Sequence, residues 1–265
     1  MVRVKDVLTY LDKIAPMSMK MDFDNVGHLV GRGDMEVRRV LVALDITDPV
    51  IAEASDLGAE LIVAHHPILI EPLRRVTDAD GPGRKILKLV EGGIAAICMH
   101  TNLDAAEGGI NDVLAERLGL SGAKILWKAG ELNGVPYGMG RIGTLPSSLA
   151  MADFLPRVKE AVGAFGLRYH DAGRPVERVA VMGGSGSEAL PVAVAMGADT
   201  YVLGEAKYSA FLDARDLGIN LIEADHYCTE NVITEPLQKT LSEAFPGLVV
   251  TVSAKHVQAA RVFVG

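Results

Sequence analysis

Histidine and carboxylate side chains form four short clusters, each at the end of an apolar stretch. In "LIVAHHPILI" at 61–70, two adjacent histidines and a proline interrupt a run of aliphatic residues. An imidazole is costly to bury in a strand unless a partner binds its polar nitrogens. Together with carboxylates, it is a common ligand of divalent transition metals. The four clusters are Asp45 with Thr47, His65 with His66, His100 with Asp104, and His226 with Glu230.

The adjacent histidines indicate more than one metal ion. Neighbouring side chains on a regular strand point to opposite faces, so His65 and His66 do not easily bind one ion. At a strand end broken by Pro67 they can turn towards two ions, and Asp104 or Glu230 could bridge these, as in two-metal hydrolytic sites. Each liganding imidazole also needs a partner for its other nitrogen. Candidates for that second shell are Asp45, Asn102 and His100.

Each cluster taken alone also has a simpler interpretation. A single histidine at a strand end is more often a hydrogen-bonded core or surface residue, and a His–Glu pair four residues apart is usually a solvated helix face. Cys228 is either a ligand or a small buried hydrophobic residue. The glycines of "GGSG" at 183–186 could hold phosphate, but without a phosphate-binding motif a tight turn is the default. His28, His170 and His256 stand alone and receive no role.

The elements that must position these clusters are alternating strands and helices, which is typical of βαβ units and a mainly parallel sheet. Strands are predicted at 38–46, 59–66 and 94–100, and each ends at a cluster. Because sites in such sheets form beyond the carboxyl ends of the strands, we expect the clusters to converge. Residues 122–143 are glycine-rich and weakly periodic, which indicates a crossing between two halves.

The second half of the chain repeats the plan of the first. Residues 177–206 align without a gap on residues 38–67, so that Val40 meets Val179 and His65-His66 meet Gly204-Glu205. The order of strand, loop, helix, Gly-Ala-acid and strand is shared. The sequence therefore predicts an internal duplication.

Composition restricts the function classes. The chain has 265 residues, 49% of them hydrophobic, and a formal net charge of −8, which disfavours a general binder of nucleic-acid backbones. No apolar run approaches the roughly 20 residues that span a bilayer, and the amphipathic N-terminal segment is predicted to be a helix and not a signal peptide. Two cysteines, Cys98 and Cys228, suit a reducing compartment, so we expect a cytoplasmic protein.

Several stretches together resemble the Nif-three-like family, whose members are often labelled GTP cyclohydrolase 1 type 2 homologues. No one of these motifs is specific alone, but "HHP", then "HTNLD", then a terminal H-x-x-x-E in this order are specific together. The stretches are "FDNVGHLVG" at 23–31, "ALDIT" at 43–47, "AHHPI" at 64–68, "HTNLDAAEGGINDVLAERLGL" at 100–120, "GRIG" at 140–143, "GGSG" at 183–186 and "HYCTE" at 226–230.

The resemblance implies a site with two divalent metal ions per subunit, and their identity stays open among zinc, iron, manganese, cobalt and nickel. His100 would lie beside the ions as a further ligand, a second-shell group or a proton carrier. The implied ligands are His65, His66, Asp104, His226 and Glu230.

The resemblance also implies a fold and an assembly. The fold is α/β, with two similar, intertwined halves, each a mainly parallel sheet flanked by helices. Residues 1–125, completed by about 226–265, would form the first half and residues 126–225 the second, with no inserted third domain. Members typically form ring-like homohexamers whose metal sites face an inner cavity.

The sequence departs from the family pattern at several positions. The family usually has leucine at the position of His28. In "LGEAKYS" at 203–209, Glu205 keeps an acid that the family favours, but Ser209 replaces a usual histidine. Asp225 replaces the glycine that normally precedes His226. The implied metal ligands are intact.

Two functions follow as hypotheses. The first is a dinuclear, divalent-metal-dependent hydrolase, in which a metal-activated water attacks a small substrate such as a nucleotide. The GTP cyclohydrolase label would mean hydrolytic opening of the guanine imidazole ring, with His100 or Glu230 as the catalytic proton carriers. No motif in the sequence recognises guanine. The alternative is a non-catalytic metal-binding scaffold or metallochaperone that recruits protein partners. Nucleic-acid binding is the least favoured, because the chain is acidic.

Overall fold

The elements of the fold follow from the computed structural model, which describes residues 1–263. The helices are α1 (Val4–Ile14), α2 (Asp48–Leu57), α3 (Gly81–Glu91), α4 (Thr101–Ala105), α5 (Ile110–Arg117), α6 (Met151–Val162), α7 (Leu190–Ala195), α8 (Tyr208–Leu217), α9 (His226–Asn231) and α10 (Thr234–Ala244). The strands are β1 (Gly27–Val30), β2 (Arg39–Ala43), β3 (Leu61–Ala64), β4 (Ala95–Cys98), β5 (Ser121–Leu132), β6 (Val135–Leu149), β7 (Arg168–His170), β8 (Val176–Ser185), β9 (Thr200–Glu205), β10 (Asn220–Glu223) and β11 (Val249–Val252).

The first sheet has the strand order β1-β4-β3-β2-β11. All of its neighbours are parallel except β1, which pairs antiparallel with β4. Every residue of β3 and β4 is buried, because helices cover both faces of a parallel sheet. Apolar side chains of β2, β3 and β4 pack with α2 in one core, which includes Leu41, Ile62, Ala96, Val50 and Ile51.

The second sheet has the order β5-β6-β8-β9-β10-β7. Its centre is the parallel trio β8-β9-β10, and β5, β6 and β7 add antiparallel pairs around that trio. The predicted α/β class, with two sheets flanked by helices, is confirmed. The second sheet is more mixed than expected, because three of its six strands run antiparallel to their neighbours.

Residues 122–143 were predicted to be a crossing between the two halves. They lie instead in a long hairpin of β5 and β6, so that prediction was wrong. The turn is Asn133-Gly134, with φ angles of 52° and 79°, as a tight hairpin turn requires. Glycines inside the strands hid the alternation of apolar and polar residues. At Gly130, an added Cβ would lie 2.5 Å from the hydroxyl of Tyr137, so the glycine makes room for that ring.

The predicted internal duplication holds in detail. Val40 pairs with Leu61 in the first sheet and Val179 pairs with Thr200 in the second, so the gapless alignment preserves the register of neighbouring strands. Each half also has a carboxylate just before its middle parallel strand. Glu60 accepts hydrogen bonds from the backbone N–H groups of Arg38 and Arg39. Its counterpart Asp199 accepts hydrogen bonds from those of Glu177 and Arg178.

The chain forms two compact units, called here the first and second units. The first comprises Met1–Leu103 and Thr234–Val257; the second comprises Asp104–Ile233 and the residues from Gln258 on. These bounds differ from the division predicted from the sequence, which assigned 104–125, 226–233 and the residues from 258 on to the first half. In the structure α5 packs on β6 and β8, and α9 packs on β8 and β9. Among the described residues, no helix is both long and apolar enough to cross a membrane.

Candidate metal centre

Three histidines of the first unit converge where β3 and β4 end. The backbone N–H groups of His65 and His66 still bond to β2 and the residue after it, at Ala43 and Leu44. Pro67 has no N–H to continue this ladder. The ring centroids of His65 and His66 are 4.9 Å apart, and His100 lies 5.1 and 5.6 Å from them. The two adjacent rings therefore do not lie on opposite faces, because regular strand geometry ends before them.

Each of the three imidazoles is held through Nδ1. His65 Nδ1 lies 2.8 Å from the carbonyl oxygen of Met99, His66 Nδ1 lies 2.8 Å from Asp45 Oδ1, and His100 Nδ1 lies 2.8 Å from Asp24 Oδ1. A carbonyl or carboxylate oxygen can only accept, so Nδ1 carries the proton in each neutral ring and Nε2 keeps its lone pair. One ring nitrogen of each histidine lies within 4.8 Å of the others. This is the arrangement that metal-binding histidines adopt.

Asp24 is a functional candidate that sequence reasoning missed. It is buried, and it binds His100 as well as the backbone N–H and the hydroxyl of Thr101. Burial alone would raise the pKa of Asp24, but the hydrogen bonds from His100 and Thr101 outweigh burial and hold the pKa well below its usual range. Asp24 therefore faces the His100 ring as a full carboxylate. Its only signal was its place in "FDNVGHLVG", far along the chain from His100.

The second unit has its own histidine–carboxylate group. His226 Nε2 lies 3.1 Å from Glu230 Oε2 on the same face of α9, and His226 Nδ1 lies 3.1 Å from Glu205 Oε2 at the end of β9. Glu230 is buried and Glu205 is exposed. Glu205 is the repeat counterpart of His66, so the same strand end carries a carboxylate in one half and an imidazole in the other.

The backbone conformation at the start of α9 explains why the family usually has glycine at the position of Asp225. Asp225 has a φ of 71°, a conformation that glycine adopts freely and other residues rarely do. Its side chain offsets part of this cost, because it accepts the backbone N–H of Cys228 as the helix N-cap. The amide of Gln258 also donates to both carboxylate oxygens, at 2.6 and 2.8 Å.

The loop "GGSG" at 183–186 has a packing role. The N–H of Gly183 donates to Asn111 and the N–H of Gly184 donates to Thr229, so both point into the unit. The alternative of a phosphate-binding loop loses these two donors. A Cβ on Gly184 would lie 2.1 Å from Glu230 Oε1 and 3.4 Å from His226 Nε2. The glycine therefore permits α9 to approach β8.

The remaining sequence-predicted residues lie as follows. Asp104 is buried in α4 and belongs to the second unit, where its carbonyl accepts from Asn111. The side-chain N–H of Asn102 donates to the backbone carbonyl of Ala15, so this donor does not hold an imidazole. Burial, and then Asp225, raise the pKa of the Cys228 thiol to about 12, which favours the small hydrophobic residue over the ligand. The predicted roles of His100 and Glu230 as proton carriers, and of Asp45 as a second-shell partner, stay predictions.

Comparison with known proteins decides the family. The family model described as Duf34/NIF3 (NGG1p interacting factor 3) matches residues 2–259. The chain belongs to this family. A relative from Clostridium perfringens, named "GTP cyclohydrolase 1 type 2 homolog", is 33% identical over 230 residues, which cover 86% of this chain and 87% of the relative. A relative from Clostridium acetobutylicum with the same name is 34% identical over 230 residues, 86% of this chain and 85% of the relative.

Two solved structures share the fold of this chain. A Bacillus cereus protein related to NIF3 superposes with a TM-score of 0.91 at 25% identity, over 100% of both chains. A Staphylococcus aureus hypothetical protein superposes with a TM-score of 0.90 at 29% identity, over 98% of this chain and 99% of that one. The resemblance to the Nif-three-like family is thus confirmed.

The donor sets fit divalent metal binding. The first unit presents three imidazoles with oriented Nδ1–H groups, and the second presents an imidazole beside two carboxylates. Nitrogen and oxygen donors of this kind suit zinc and other first-row divalent ions. These side chains could therefore hold a metal ion, and the imidazoles of the first unit are already oriented by their Nδ1 contacts.

Proposed function

We propose that this protein is a divalent-metal-dependent hydrolase that acts on a small substrate such as a nucleotide, in the manner that the name GTP cyclohydrolase 1 type 2 suggests. The proposal includes two ions per chain, with His65, His66, Asp104, His226 and Glu230 as their ligands. The main support is the first-unit trio, in which three independent oxygen acceptors fix three imidazoles in the same tautomer. Such uniform orientation has little use in a packing cluster.

Different residues of the chain would bind the metal and transfer protons. His65 and His66 would bind metal through Nε2, since their Nδ1 atoms are engaged. A bound divalent ion supplies Lewis acidity and lowers the pKa of a water molecule. His100, with Asp24 behind its Nδ1, can accept a proton at Nε2 and be stabilised as a cation by that buried carboxylate. Glu230, held beside His226, is the second proton carrier that we propose.

Metal analysis followed by turnover measurements tests the proposal. Purified protein loaded with zinc, manganese, iron, cobalt or nickel is expected to retain two equivalents after desalting. Nucleotide and phosphoester hydrolysis should then be measured in wild type, His65→Ala and Glu230→Ala. His170→Ala is the control, because this histidine lies in β7 and outside both groups.

Loss of turnover in the first two variants, but not in the control, would support the hydrolase. If wild type held no metal under any loading condition, the proposal would fail. If it held two ions, and neither variant lost turnover, only the catalytic part would fail. Rapid transfer of the ions to an acceptor protein, with no turnover, would favour the metallochaperone alternative.

The assembly and location belong to the same proposal. We infer a homohexameric ring from the family resemblance, and light scattering on the purified protein tests it directly. We infer a cytoplasmic location from the two cysteines, neither of which forms a disulfide within the described part of the chain. Fractionation of cells that express the full chain tests that location.

A further inference from the structure

A buried asparagine of the second unit joins the backbone of Asp104 to the end of β8. Asn111, in the first turn of α5, is 1% exposed. Its Nδ2 donates to the carbonyl of Asp104 at 2.9 Å, and its Oδ1 accepts the N–H of Gly183 at 3.0 Å. A carbonyl can only accept and a backbone N–H can only donate, so the two partners fix the orientation of the amide. One side chain therefore holds two backbone segments that are distant in the chain.

Both ends of this link lie beside residues that we propose as metal ligands. Asp104 lies in the last turn of α4, where carbonyls generally have no partner within the helix, and the Asn111 amide supplies one. At the other end, an added Cβ on Gly183 would lie 3.6 Å from Glu230 Cγ, which is ordinary van der Waals contact. The N–H of the next residue donates to the hydroxyl of Thr229, the neighbour of Glu230 in α9. The backbone of Asp104 is thus tied to the strand end on which Glu230 packs.

The loop that follows α4 has further anchors, so removal of the Asn111 amide would act locally. The guanidinium of Arg141 donates to the carbonyl of Ala106 at 3.1 Å. Its ion-pair partner, Asp112, accepts the N–H of Gly108 at 2.8 Å. Neither contact involves Asn111, so the loop stays attached to α5 and β6 without it. Loss of the amide should then shift the α4 end of the loop and leave the unit folded.

We propose that Asn111 is a positioning residue, which sets the distance between the Asp104 backbone and the end of β8, and through it the placement of the Asp104 carboxylate relative to Glu230. This inference rests on the proposed function, in which both carboxylates bind metal. Partners one step behind a ligand typically alter metal affinity about 10- to 100-fold. Because Asn111 holds the backbone of Asp104 and not its carboxylate, we expect a loss of about tenfold, at the lower end of that range.

The test applies one substitution to two buried asparagines of the second unit. Asn111→Leu removes both hydrogen bonds and keeps a side chain of similar size. Asn220→Leu is the matched control, because Asn220 begins β10, is fully buried and makes three hydrogen bonds through its amide, to the backbone at 172 and 174 and to Thr200. The control therefore loses as many hydrogen bonds of a buried amide, but none to a proposed ligand. Co²⁺ affinity is measured by competition with a chelating dye, and crystal structures of the metal-free variants give the distance from Asp104 to Gly183.

A double-mutant cycle shows whether Asn111 acts through Asp104. Asn111→Leu should lower cobalt affinity about tenfold in the wild-type background. In the Asp104→Ala background the same substitution should lower it by less than about twofold, because the carboxylate that it positions is then absent. Asn220→Leu should unfold at a lower urea concentration than wild type and keep wild-type cobalt affinity. In the metal-free structures, Asp104 should lie further from Gly183 in Asn111→Leu only.

The inference is overturned if Asn111→Leu keeps wild-type cobalt affinity, or if the two leucine variants weaken binding equally, which would indicate packing alone. An equal loss in the wild-type and Asp104→Ala backgrounds would also overturn it. If wild type binds no cobalt, the proposed function fails, while the metal-free structures still decide whether Asn111 positions Asp104. Should Asn111→Leu not fold, Asn111→Ser and Asn220→Ser, in which water can replace the amide, are compared by the same measurements.

Discussion

Gly184 gives the sharpest test of how the second-unit group is built. Its φ is +63°, and an added Cβ would lie 2.1 Å from Glu230 Oε1. To reach even 3.0 Å, that oxygen would have to move by about 0.9 Å. The carboxylate would move with it, which disturbs the contact of its other oxygen, Oε2, with His226. A methyl group in left-handed backbone costs about 1–2 kcal/mol. The forced displacement adds about 1–3 kcal/mol, as overpacking generally does.

Gly218→Ala is the matched control for Gly184→Ala. Gly218 has a φ of +66°, and nothing lies within 4 Å of its added Cβ, so it carries the backbone strain without the collision. We expect urea unfolding of the metal-free proteins to give a lower free energy of unfolding for both variants than for wild type. That of Gly184→Ala should be lower still, by the cost of the collision between its Cβ and Glu230. Metal affinity should fall about 10- to 100-fold in Gly184→Ala only. Equal stability and equal metal affinity in the two variants would refute the assigned packing of Gly184 on Glu230.

Three further predictions concern stability. Glu60→Gln and Asp199→Asn should each lower the free energy of unfolding by about 1–2 kcal/mol in urea, and the more buried Asp199 should cost more; the reverse order would contradict the argument. Hydrogen bonds from Arg84 and Lys88 of α3 lower the pKa of Asp48 from 3.8 to about 2. The contribution of Asp48 to the free energy of unfolding is therefore full above pH 3.8 and is lost as the pH falls towards 2. Asp48 is a third exposed, so we expect only about 0.5–1 kcal/mol, and Asp48→Asn should flatten the acid limb of an unfolding titration by that amount. Asp225→Gly should change the free energy of unfolding by less than about 1 kcal/mol, because relief of the positive φ offsets the lost N-cap. Asp225→Ala keeps the strain and loses the cap, so it should cost about 1–3 kcal/mol. A higher melting temperature for Asp225→Ala than for Asp225→Gly would contradict this explanation.

The parallel core could be predicted because its signals are local. Strands β2, β3 and β4 are continuous apolar runs, and His65 and His66 mark the end of one of them. The gapless repeat then located β8 and β9, since register is preserved wherever the strand, loop and helix keep their lengths. These features depend on neighbours in the chain, where hydrophobic patterning is informative.

What sequence reasoning missed depends on distant or atypical neighbours. The β5–β6 hairpin was hidden by glycines that accommodate Tyr137 and other cross-strand side chains, although "NG" at 133–134 is a known hairpin signal. Asp24 reaches His100 of the histidine trio only through folding, across 76 positions of chain. A buried polar contact of that kind has no periodicity, so no pattern in the sequence could predict it.

The paired carboxylates Glu60 and Asp199 have a consequence for how this chain can evolve. Both lie at the amino ends of the parallel strands, where each holds the start of the neighbouring strand. The histidines and acids of the candidate metal centre follow the carboxyl ends. After a duplication, selection for a stable fold and selection for ligand chemistry would therefore act on opposite ends of the same strands. One strand end could change from Gly-Glu to His-His, or the reverse, while the other end kept both copies folded. A single ancestral half could in this way diversify into two unlike donor sets without an unstable intermediate.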